Sequence, residues 1–101
     1  MNQSSDLWQK VFRKSDQVVY RKIADEMLLV PIRGKLADMQ RIFALNPAAE
    51  FIWDQLDGKH CVQDIRDQLL AEFDVEPAQA EADLLEFIDE LFKAELIIQT
   101  V

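Results

Sequence analysis

The 101-residue sequence holds one cysteine, one histidine, two glycines and three prolines, and each scarcity excludes something. A single thiol, Cys61, cannot close an internal disulfide, so a stapled fold is ruled out and a reducing compartment, cytoplasm by default, is expected. Structural zinc takes four ligands at staggered spacing, and the adjacent His60-Cys61 pair supplies two. A Cys–His catalytic pair needs side chains that converge from separate parts of a fold. Cys61 therefore reads as a small residue at a helix start, and neither a metal nor a cofactor is expected. No glycine-rich phosphate loop and no serine nucleophile elbow occurs. With no convergent catalytic groups, the chain is not expected to be an enzyme. Its longest purely apolar run, Met27 to Ile32, falls far short of the roughly 20 residues of a membrane span. The opening MNQSSDLWQK lacks a basic segment followed by an apolar core, so no signal peptide is expected.

What is present is an ordinary globular composition, 50% hydrophobic and 30% charged. The net charge of −8 is unevenly spread. Residues 1–45 carry eight basic and five acidic side chains, and residues 46–101 carry three and fourteen. Phosphate binding needs clustered positive charge, so nucleic acid is not an expected partner.

The pattern predicts one α+β domain of plan βββααα: a three-stranded antiparallel sheet followed by three helices. Residues 1–15 form a polar lead-in, 16–98 the domain, and 99–101 a tail. The β-branched and aromatic QVVYRKI (17–23) reads as a strand. MLLVPI (27–32), apolar on both faces, reads as a central or helix-covered strand that ends at Pro31. MQRIFAL (39–45) reads as the third strand. Asn46-Pro47 is a helix start, since Asn caps free N–H groups and Pro suits the first helical position. Helix one is expected to reach Leu56, burying Ala48, Phe51, Ile52 and Leu56 with Trp53 at the flank, and to exit at Asp57-Gly58. Helix two is expected over 62–73, helix three from Pro77 to about Glu95, and Leu96-Ile97-Ile98 as a short extended tail.

Helix three is strongly acidic. Asp83, Glu86 and Glu90 project away from its apolar stripe and read as a solvated face, while Asp89 lies at the stripe's border. The alternative of a winged-helix transcriptional regulator is disfavoured on the same ground. Helix two sets Gln63, Arg66 and Gln68 against Asp64, Asp67 and Glu72, and helix three has a single lysine, Lys93.

The segments ALNPAAEFIWDQLDGKHCVQDIRDQL, EFDVEPAQAEADLLEFIDELFKAELI and RKSDQVVYRKIADEMLLV together resemble the PqqD family across about residues 12–98. Its most specific marks are Leu45-Asn46, the aromatic-aliphatic helix and the Asp57-Gly58 turn. The resemblance implies a winged-helix-like domain that binds the leader of a ribosomally made precursor peptide. Such domains present the leader to a radical-SAM or other peptide-modifying enzyme, as in pyrroloquinoline quinone biosynthesis. The leader would add beside the third strand, against Gln40, Arg41, Ile42, Phe43 and Ala44. The facing wall would be Leu85, Asp89 and Phe92 of helix three, with the opposite border at Phe87 and Leu91 as the alternative. Arg41, a long cation on a sheet edge, would pair with an acidic leader residue. No membrane partner is expected. A monomer is expected, with a dimer through the sheet edge or the Leu7-Trp8 and Val11-Phe12 pairs as the alternative.

Overall fold

The computed structural model describes residues 7–33 and 42–100. Its elements run β1 (Val11–Lys14), β2 (Val18–Ile23), β3 (Glu26–Pro31), β4 (Phe43–Leu45), α1 (Pro47–Gln55), β5 (Asp57–Cys61), α2 (Val62–Glu72), α3 (Pro77–Lys93) and β6 (Ile97–Thr100). The strands form two antiparallel sheets, ordered β2-β3-β4 and β5-β1-β6.

The first sheet is the expected meander. β2 pairs with β3 from Val18↔Pro31 to Ile23↔Glu26, and β3 pairs with β4 from Met27↔Leu45 to Leu29↔Phe43. Period-two alternation then sends Met27, Leu29 and Leu45 into the core, all under 10% exposed. Leu28 and Val30, on the other face of β3, are only half-buried. Part of the expected third strand, residues 39–41, lies outside the described residues.

The three helices fall where their caps and stripes predict. The stripes Ile52-Trp53-Leu56, Val62-Ile65-Leu69 and Ala80-Leu84-Ile88-Leu91 meet in one core with the inner face of the meander. Trp53, expected at a flank, is fully buried. Tyr20 meets its ring edge-to-face at 5.9 Å, and the Lys14 ammonium lies 5.3 Å from the ring centroid. Burial lowers the pKa of Lys14, with Asp54 and Asp57 partly offsetting that shift.

The second sheet departs from the expected plan. Residues 11–14, expected within a lead-in, are the middle strand of β5-β1-β6. Phe12 is 3% exposed and stacks edge-to-face on Phe92 at 5.7 Å. Asp57-Gly58, expected as a bare helix exit, opens β5, which pairs with β1 at Val11↔Cys61 and Arg13↔Asp57. The expected tail becomes β6, paired with β1 from Val11↔Thr100 to Lys14↔Ile97. These strands are four or five residues long and gain their hydrogen bonds from distant partners, so no local pattern marks them. α3 also ends without a glycine: Glu95 takes the left-handed conformation (φ 62°), and the Leu96 N–H donates to the Leu91 carbonyl.

Candidate functional site

β4 is an outer strand of its sheet, paired with β3 on its inner side. The backbone N–H and C=O groups of an outer strand can take up an extended chain. The edge is held at its end by α1: the Asn46 side chain accepts from the Ala49 N–H at 2.8 Å, and Pro47 occupies the first helical position. Phe43 and Leu45 turn inward against the core, whereas Ala44 is exposed and Ile42 is 57% exposed. Of the expected strand wall, Ile42, Phe43 and Ala44 are thus together at the edge; Gln40 and Arg41 lie outside the described residues.

The two borders of α3 face different neighbours. On one, Glu81 forms a 2.8 Å ion pair with Arg66 of α2, and Phe92 meets Phe12 of β1. Leu85 lies between them at helical spacing, half-buried, and Asp89 sits further round, paired with Lys93 at 3.0 Å. The expected wall of Leu85, Asp89 and Phe92 therefore belongs to the border turned toward α2 and β1. On the other border, Asp83 and Phe87 lie across a cleft from the start of α1. With Asn46, Ala48, Ala49 and Ile52 they line a cleft of about 340 Å³ at the Asn46 end of β4. A smaller cleft of about 80 Å³ continues between the helices, bounded by Ala48, Ile52, Val75, Ala80 and again Asp83. Leu91 is fully buried, so of the alternative border only Phe87, half-buried, reaches a cleft wall.

The remaining candidates for chemistry have structural partners. His60 Nδ1 lies 3.0 Å from the Asp57 carboxylate, which also accepts from the backbone N–H groups of Lys59 (2.9 Å) and His60 (3.2 Å). Desolvation acts to raise the pKa of Asp57. It is outweighed by those hydrogen bonds and by the His60 charge, which bring the pKa down to about 2. Cys61 starts α2, its N–H donating to Asp64 at 3.2 Å. Among the described residues, no three His, Cys, Asp or Glu side chains converge on a metal-sized site, and no helix is long and apolar enough to cross a membrane. Arg66, the one cation of α2, is held by Glu81 and Asp67 rather than offered to a phosphate.

Comparison with known proteins places this geometry among relatives. The family model described as coenzyme PQQ synthesis protein D (PqqD) matches residues 26–97. Two curated relatives, both called PqqA binding protein, come from Xanthomonas euvesicatoria pv. vesicatoria (strain 85-10) and Xanthomonas axonopodis pv. citri (strain 306). Each is 34% identical over 58 residues, which is 57% of this chain and 63% of the relative's length. The solved structure of TbiB1 in complex with the TbiA(beta) leader peptide is similar at 29% identity and a TM-score of 0.68, over 84% of this chain and 93% of that one. A lasso peptide synthetase B1 complexed with its leader peptide is similar at 23% identity and a TM-score of 0.70, over 86% and 96%, a likeness of fold.

Proposed function

The chain belongs to the PqqD family, and from that premise we propose that it is a non-catalytic carrier of a ribosomally made precursor peptide. The leader of that peptide adds as a strand along the outer edge of β4 and is presented to a peptide-modifying enzyme. The observation that carries this function is the outer position of β4 in its sheet, set beside the cleft of Asn46, Ala48, Asp83 and Phe87. Backbone pairing on an edge supplies affinity for any extended chain, and the flanking cleft selects among side chains. The TbiB1 complex, whose fold this chain shares, holds a leader peptide. The Xanthomonas relatives are PqqA binding proteins.

On this proposal the strand side of the site is Gln40, Arg41, Ile42, Phe43 and Ala44. Its helix side is the Phe87 border rather than Leu85, Asp89 and Phe92, because Phe87 shares a cleft with the residue that follows β4. The test has two stages. Tagged full-length protein is recovered from its native lysate, and retained material is identified by mass spectrometry; a short ribosomal peptide is expected. That peptide is then titrated into isotope-labelled protein, where the amides of residues 42–45 should shift and gain protection from exchange. Arg41→Glu should weaken binding of an acidic leader several-fold, with the circular dichroism spectrum unchanged. Retention of nucleic acid without a peptide, or a bound peptide that leaves the β4 amides unmoved, would overturn the proposal.

A further inference from the structure

Four of the five carboxylates of α3 fall into two groups. On the border turned toward α2 and β1, Glu81 is paired with Arg66, and further round Asp89 is paired with Lys93. On the border turned toward α1 and the end of β4, Asp83 is exposed and, among the described residues, takes only a neutral hydrogen bond, from the Gln79 side chain at 2.9 Å. Glu90, two turns further along that border, is exposed and makes no ion pair among the described residues. The cleft beside β4 is thus apolar at Ala48, Ala49, Ile52 and Phe87, and rimmed by negative charge that has no cationic partner among the described residues.

We infer that the peptide accepted by this groove carries a lysine or arginine two positions from an apolar residue, the cation against Asp83 and the apolar side chain against Phe87. This specificity rests on the peptide-binding function proposed above. The spacing follows from the two periodicities that meet in the groove. Residues i and i+4 of a helix are separated by about 6 Å along the axis. Residues i and i+2 of a strand lie on one face about 6.7 Å apart. An added strand therefore matches Asp83 and Phe87 with alternate side chains, while the residue between them points away from α3. The cleft, about 340 Å³ in volume, is near the lower end of the roughly 300–1,000 Å³ that hold small ligands, room for a large side chain and its neighbours. Glu90 extends the same negative rim, so a second cation further along the peptide is favoured over a carboxylate there.

The test is a selection from a randomised 12-residue peptide library against the full-length chain, followed by fluorescence anisotropy with an enriched peptide. Enriched sequences should share a basic residue two positions from an aliphatic or aromatic one. Asp83→Lys should weaken that peptide about 3- to 10-fold, and replacing the peptide's basic residue with Glu should restore affinity for Asp83→Lys but not for the unaltered chain. Asp83 is exposed, so the variant's unfolding curve should match that of the parent. Enriched peptides without the basic residue, or an affinity indifferent to Asp83→Lys, would overturn the specificity and leave the peptide-binding function standing. A library from which nothing is enriched would overturn both.

Discussion

Asp57 organises the turn into β5 through three hydrogen bonds from a single two-residue span, and its ionised form is what accepts them. Its folded pKa of about 2 lies below the roughly 4 of an unfolded aspartate. A depressed carboxylate favours folding where it is ionised, so its contribution is complete above about pH 4 and lost as pH falls through about 2. After allowance for solvent screening of a partly exposed group, that contribution is about 1 kcal/mol. Asp57→Ala should therefore unfold at lower urea than the parent at pH 7, with the gap narrowed to about a third at pH 2.5. An equal gap at both values would show that the side chain acts through packing. Asp57-Gly58 was legible as a turn because Gly58 (φ 81°) suits a left-handed residue. Its hydrogen bonds from Lys59 and His60, and the strand it opens, were not.

At the scale of the element, α1 joins the sheet edge to the helical layer without a loop. Asn46 ends β4 and caps α1 in one residue, so the cap also fixes the angle at which the edge meets Ala48 and the cleft. Asn46→Ala should cost about 1 kcal/mol in urea unfolding. Its effect on peptide affinity should be larger than that of an equally destabilising change remote from β4. A stability unaffected by the substitution would mean that Pro47 alone holds the helix start. All three helices were readable because their caps and apolar stripes are local in sequence. The border of α3 that lines the cleft was not, because a helical stripe has two flanks that look alike until the neighbouring elements are known. Arg66 on one side, Asn46 and Ala48 on the other, distinguish them.

In the whole molecule, β1 is the strand on which both ends of the chain depend. It pairs with β5 on one side and with β6 on the other, and it brings Phe12 into the core. Burying one phenylalanine contributes about 1.5–3 kcal/mol, and without β1 the strands β5 and β6 would lose all their ladder partners. Small domains have only about 5–15 kcal/mol of net stability. A chain shortened to residues 16–101 should therefore lose cooperative unfolding in urea, followed by far-ultraviolet circular dichroism. A sigmoidal curve with the parent's midpoint would mean that the β2-β3-β4 sheet and the helices are self-sufficient. The family match, which begins at residue 26, does not include β1.

Periodicity and capping by themselves determined the β2-β3-β4 meander, the three helices, the buried stripes and the edge position of the third strand. These are properties of neighbouring residues, and short-range hydrogen bonds and amphipathic spacing express them directly. Tertiary structure alone decided that residues 11–14, 57–61 and 97–100 form one sheet, that Trp53 lies at the centre rather than the flank, and that Asp83 and Phe87 face the cleft. Each of those outcomes depends on residues far apart in the chain: Val11 meets Thr100, Lys14 covers Trp53, and Ala48 shares a cleft with Asp83. Contacts of that kind leave no periodic trace, because their energy is gained only when the whole core closes.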